Sequence, residues 1–279
     1  MNQRFTSAIA ILLLLSAGLS CSFPRPNRSL TWHIMLEIDA AVPNRESAAK
    51  QTVMVIERRL DRFGVHNFEV LAQGTPPNGR ILVSLPKVSD PERLKKLITA
   101  RGQLELTAVI SPPSPSPVQI FNSKEDAMAS LGDEVPANRR VLPYFERDQS
   151  TASEQNSESS YQPNKWGVVE APAIVDGSEL RNAVAVPSRV NAEDYHIAFS
   201  LTPKGAERLG DWTGAHINDY ISVVLNDEIK SILYIRSRIS DQGEISGRFT
   251  KQSAEDLALI LQSGALPAAV KIVDEGANK

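Results

Sequence analysis

From Ile34 onward the apolar residues switch between a repeat of two and a helical repeat in a fixed order, and that order restricts the fold more than any other feature. Ile34, Leu36 and Ile38 alternate as a strand. Ala49, Val53, Ile56, Leu60 and Phe63 then share one helical face, and Gly64 ends the helix. Glu69 to Gln73 and Arg80 to Leu85 read as a hairpin around the turn-rich stretch from Gly74 to Gly79. Asp90 and Pro91 form a cap and first-turn pair for a helix with the stripe Leu94, Leu97 and Ile98. After Gly102, residues Leu104, Leu106, Ala108 and Ile110 alternate again. The order is βαββαβ, a ferredoxin-like unit, and the fold class expected is α+β.

The run SPPSPSP, Ser111 to Pro117, interrupts this pattern as an extended, semi-stiff spacer, so Pro112, Pro113, Pro115 and Pro117 are hinge candidates. Ser123 to Leu131 is compatible with a short helix, and Asp148 to Asn164 is polar with few apolar residues. Order resumes at Trp166. A strand from Tyr195 to Leu201 leads through Thr202 and Pro203 into a helix, and a hairpin turns at Asn226 and Asp227. Thr250 and Ser253 compete to start a last helix, which Gly264 ends before a final strand from Ala269 to Val273. The pattern thus divides the body into a first ordered unit over 31–110, a hinge and linker over 111–165 and a second ordered half over 166–275.

The N-terminus has a separate logic. Arg4 precedes an apolar run from Phe5 to Leu19, and small residues lead into Cys21, the only cysteine. This is the layout of a signal peptide over residues 1–20, with Cys21 placed where a bacterial lipoprotein carries its lipid. A plain cleaved signal or an uncleaved anchor has the same outline, and all three put the remainder outside the cytoplasm. A lone cysteine supplies neither an internal disulfide nor a cysteine-rich zinc site.

The search for chemistry finds no site. His33, His66, His196 and His216 have no metal-ligand spacing, and neither a GxSxG elbow nor a GxGxxG loop occurs. Arg58, Arg59 and Arg62 read as a solvated helix face, and Arg139 with Arg140 as part of a loop. A formal charge of −3 offers no field for a phosphate backbone, so nucleic acid is not an expected partner. Neither cofactor nor metal is expected, and binding is favoured over catalysis.

Several segments resemble SecD, a protein-export subunit of the bacterial translocon. They are VMVIERRLDRFGV (Val53 to Val65), GRILVSLPKVSDPERLKKLI (Gly79 to Ile98), GQLELTAV (Gly102 to Val109), VVEAPAIVDGSELRNA (Val168 to Ala183), YISVVLNDEIKSILYI (Tyr220 to Ile235) and ISGRFTKQSAEDLALILQSGALPAAVKIVDE (Ile245 to Glu275). The resemblance implies the first extracytoplasmic domain of that family, a ferredoxin-like base over 31–110 with an α+β head over 166–263 inserted through the hinge and linker over 111–165 and a return strand to the base over 264–275, and adds Gly264 to the hinge candidates. It also implies partners: unfolded exported preproteins, and the Sec translocon or SecF-type membrane subunits, with the membrane reached through the N-terminal anchor or lipid. SecD continues into membrane helices that use the proton gradient with SecF. No stretch beyond residue 24 has that character, so the resemblance implies contact with clients and not the energised cycle. The competing expectation is an envelope lipoprotein interaction module that keeps the head fold without an export role.

Overall fold

A computed structural model describes residues 30–74, 78–113, 115–132, 134–144, 165–188 and 194–277. Cys21 and the polar stretch 148–164 lie outside the described residues.

The base consists of β1 (Trp32–Ile38), α1 (Arg45–Phe63), β2 (Glu69–Ala72), β3 (Arg80–Leu85), α2 (Pro91–Thr99) and a distant strand, β13 (Val270–Ala277). Local chemistry sets the boundaries. Asn44 caps α1 by accepting from the Ser47 N–H, and Gly64 ends it at φ +85°, the left-handed conformation that glycine adopts without penalty. Asp90 accepts from the Arg93 N–H and Pro91 fills the first turn of α2, as the sequence indicates. The antiparallel sheet has the order β13-β1-β3-β2. Its core joins Ile34, Leu36 and Ile38 to Ile56, Leu60, Leu94 and Ile98, all fully buried.

The α+β class and the βαββαβ base are both present, but one strand differs from expectation. β4 (Leu104–Ala108) does not close the base sheet. β13 occupies the free edge of β1 along its whole length, from Trp32 opposite Ala277 to Ile38 opposite Val270. Having no edge to join there, β4 pairs instead with β10 (Tyr220–Leu225), where Leu104 and Leu106 enter the other core.

That core belongs to the head. Among the described residues, a six-stranded sheet runs β6-β5-β11-β10-β4-β7, using β5 (Arg139–Tyr144), β6 (Lys165–Glu170), β7 (Val175–Asp176) and β11 (Glu228–Tyr234). A three-stranded sheet, β12-β9-β8, comprises β8 (Leu180–Pro187), β9 (Tyr195–Leu201) and β12 (Gln242–Phe249). The helices are α3 (Lys124–Ala129), α4 (Pro203–Ala215) and α5 (Lys251–Ser263). Ile197, Phe199 and Leu201 of β9 meet Ile221 and Val223 of β10 and Ala254, Ala258 and Leu261 of α5. Thr250 starts α5 by accepting from the Ser253 N–H, which decides between the two candidate caps. Asn226 and Asp227 both take positive φ, +53° and +62°, the geometry that lets a two-residue turn follow the twist of its strands. Arg139 and Arg140 lie on β5 and not in a loop, because Glu170 and Glu105 neutralise them there.

Candidate functional site

The chain passes between base and head twice, from α2 to β4 and from α5 to β13, and both passages meet at one side chain. Arg59 of α1 is 0% exposed, against the solvated face expected for it. Its Nη1 donates to the carbonyls of Leu97 at 2.8 Å, Ala100 at 2.5 Å and, at 3.5 Å, Ile98. Its Nη2 donates to Gly264 O at 3.1 Å and Arg101 O at 3.4 Å. The carbonyls of Leu97 and Ile98 are orphan acceptors at the end of α2, so Arg59 caps that helix with a cation at its negative pole. Burial, with the neighbouring charge of Arg58 adding to it, pushes the guanidinium pKa down to about 10. Arg59 therefore stays charged at neutral pH, with carbonyls replacing the water lost from its two Nη atoms while the buried Nε has no partner.

The first passage is gripped from the head side as well. Arg101 Nη1 meets Asp227 Oδ2 at 2.6 Å, and Arg101 Nη2 meets Gln103 Oε1 at 2.6 Å. Gln103 reaches Glu105 at 3.3 Å; Glu105 binds Arg140, and Arg140 returns to Asp227 at 3.5 Å. These five side chains close a ring of two cations, two anions and one amide. Its anchor is the hairpin turn, since Asn226 accepts from the Gln103 N–H at 3.0 Å and returns a backbone bond to Gln103 O at 2.9 Å. The two passages also bind one another, Leu266 N–H to Arg101 O at 2.8 Å. Gly102, at φ +70°, sits between them, and a Cβ there would lie 2.5 Å from Ile260 Cγ2.

Beside the passages, α1 and α2 face α5 through polar pairs. Arg93 holds Asp256 Oδ1 with Nε at 2.8 Å and Nη2 at 2.6 Å, while its guanidinium lies 5.2 Å from the centre of the Phe63 ring. The hydrogen bond to Asp256 raises the Arg93 pKa above its usual value. Arg62 binds Gln262, which also donates to Asn182 Oδ1 at 3.1 Å and to the Ala183 carbonyl on β8. Between α5 and the β8–β9 side of the head, with Arg62 of α1 also in its lining, lies an open groove of about 720 Å³. Val184, Ala185, Tyr195 and Leu259 line it with apolar surface, and Arg62, Lys251 and Glu255 line it with charge.

The candidates from the sequence fall in different places. Gly264 occupies the second passage, at φ +91°, with its carbonyl on Arg59. Pro112, Pro113, Pro115 and Pro117 follow β4 within the head and do not lie between the lobes. Ile110 N–H already binds Val168 O before that run begins, and the Tyr220 hydroxyl binds Ser116 O at 2.8 Å within it. Arg59 escaped sequence reasoning although its spacing carried a signal: it lies three residues after Ile56 and four before Phe63, on the buried stripe.

Residues 49–111 match the family profile of protein translocase subunit SecDF, P1 domain, N-terminal, and residues 151–268 match the SecDF P1 head subdomain. The described region is a SecD-type P1 domain. Curated relatives agree: the protein translocase subunit SecD of Koribacter versatilis is 34% identical over 231 residues, covering 83% of this chain and 39% of the relative. The SecD of Aquifex aeolicus is 32% identical over 231 residues, 83% of this chain and 40% of the relative. The chain thus spans about two fifths of the length of these relatives. Among solved structures, SecDF in a super-membrane-facing form gives a TM-score of 0.64 at 23% identity, covering 89% of this chain and 30% of that one. A structure described as a membrane component SecDF that enhances protein export gives 0.63 at 23% identity, covering 87% of this chain and 98% of that one. At that identity the agreement is one of fold, and it extends through both lobes of the P1 domain. No described helix of the chain is long and apolar enough to cross a membrane.

Proposed function

We propose that this chain assists protein export at the extracytoplasmic face of a bacterial membrane, its P1 domain contacting an unfolded exported preprotein or the Sec translocon with SecF-type subunits. The observation that carries this reading is the match of base and head, in order, to the P1 domain of protein translocase subunits. The groove along α5 supports it physically. Its open, mixed apolar and charged lining suits an extended chain with mixed side chains better than a small molecule, which an enclosed pocket would bury. Cys21 is the proposed point of lipid attachment that keeps the domain at the membrane.

The test is crosslinking in intact cells with a photo-reactive residue at Val184, which is exposed in the groove, and another at Gln242 on β12 as a comparison. Adducts from Val184 with many newly exported chains, or with translocon subunits, are the expected result. Adducts with one unrelated envelope protein would replace the export reading with that of an interaction module. Attachment is tested separately by Cys21→Ser, which should abolish lipid labelling and release the protein from membranes; equal membrane retention without lipid would refute the assignment.

A further inference from the structure

The base and the head have separate hydrophobic cores. Buried residues from β1, β3, α1 and α2 form the first, and those from β4, β9, β10 and α5 form the second. What joins them is two chain passages and a polar face between α1, α2 and α5, the kind of connection that permits one lobe to turn against the other.

The two passages are not free to bend independently. Both deliver carbonyls to Arg59, and they share the bond from Leu266 to Arg101. Any turn of the head that kept these bonds would have to take place about this point. Asp256 lies eight residues before Gly264 on α5, about 12 Å along the axis at the rise of a helix. Its contact with Arg93, two donors on one carboxylate oxygen, therefore acts at a distance from Arg59 and fixes an angle. Gln262, two residues from Gly264, rides close to the point of rotation and constrains the angle less.

We propose that Arg59 is the pivot between base and head, and that the Arg93–Asp256 pair is the latch that sets the angle between them. The two contacts differ in the way a pivot and a latch require. Arg59 is fully buried, so releasing it strands a charge and several carbonyls without water. Arg93 and Asp256 are 29% and 22% exposed, so water can take over both partners when they separate. Arg93 stays oriented by the Phe63 ring when Asp256 leaves, which makes closing as accessible as opening. This inference concerns how the lobes are joined and does not depend on what the head binds.

Asp256→Ala, made in the full chain with Cys21→Ser as background, tests both halves at once. Spin labels at Gln51 on α1 and Lys204 on α4 report the base-to-head distance by pulsed electron resonance, and labels at Gln51 and Glu69 report the base alone. Hydrogen exchange at the Leu266 amide reports the passages. In Asp256→Ala the base-to-head distribution should become at least twice as wide, the base distance should not change, and Leu266 should stay as protected as before. An unchanged base-to-head width would overturn the latch. A wider distribution with loss of Leu266 protection would overturn the pivot, because the passages would then release together with the latch. Broadening of the base pair as well would show that Asp256 supports the base core, which also overturns the latch.

Discussion

Alanine at Gly102 tests whether the passages are packed as tightly as described. Two costs add. The residue sits at φ +70°, where a side chain costs roughly 1–2 kcal/mol. The new Cβ would also fall 2.5 Å from Ile260 Cγ2 and 3.3 Å from Arg59 Nη2, and overpacking of this kind costs about 1–3 kcal/mol. The sum is about 2–5 kcal/mol, a large part of the ~5–15 kcal/mol that holds a typical domain folded. Gly64→Ala is the internal control: φ is +85° there, but nothing lies within 4 Å of the added atom, so only the conformational cost applies. Urea unfolding followed by tryptophan fluorescence covers both lobes, since Trp32 is in the base and Trp166 and Trp212 are in the head. Gly102→Ala should lose about 1–3 kcal/mol more than Gly64→Ala, the overpacking cost alone. Equal losses would refute the claim that Ile260 and Arg59 close over Gly102.

Arg59→Met, which keeps much of the bulk but leaves the carbonyls unpaired, should cost about 1–3 kcal/mol for each carbonyl left without a partner in the same titration; a total loss below about 1 kcal/mol would show that water satisfies them. A double-mutant cycle on Arg93→Met and Asp256→Ala should give a coupling of about 1–2 kcal/mol, more than an exposed pair provides, because two charged donors converge on Asp256 Oδ1 and the contact is half-buried. The pH dependence has a definite sign. The Arg93 pKa is raised on folding, so its contribution is complete below the ordinary arginine range and is lost only as pH rises through the still higher folded value. Arg59, lowered to about 10, carries a constant penalty below that pH, which is relieved only above it. Neither arginine should give the stability a slope between about pH 6 and about pH 9, and a slope in this window that vanishes in Arg59→Met would contradict the charge state assigned to that residue.

Much of the fold is written in local chemistry. Asp90 with Pro91, Thr202 with Pro203, Thr250 and Gly64 each mark a helix end by a mechanism that acts within a few residues, and the structure has a boundary at each. Strand partners are a different matter. Alternation in Leu104 to Ala108 announces a strand but carries no information on which edge it will join, and that edge had gone to a strand more than 160 residues later. β8 escaped the pattern because Arg181, Asn182 and the small Ala183 and Ala185 give it little amphipathic contrast. β5 was hidden by Arg139 and Arg140, whose charges are compatible with a strand only through acidic partners from β4, β6 and the Asn226 turn. Arg59 was obscured in the same way: its periodicity indicates the core, its charge indicates solvent, and only carbonyls from two distant segments resolve the conflict.

The place of β13 also governs the order in which the molecule can assemble. The base cannot complete its sheet until the last strand is available, and β1 must wait for a partner about 240 residues away, as in the pairing of His33 with Gly276. Closing an unfolded loop of that length is entropically slow. A head that has already folded shortens the search, because its two ends emerge side by side, within one hydrogen bond from Leu266 to Arg101. The inserted lobe then acts as the template on which the outer lobe closes, so damage to the head should appear first as a kinetic defect in the base.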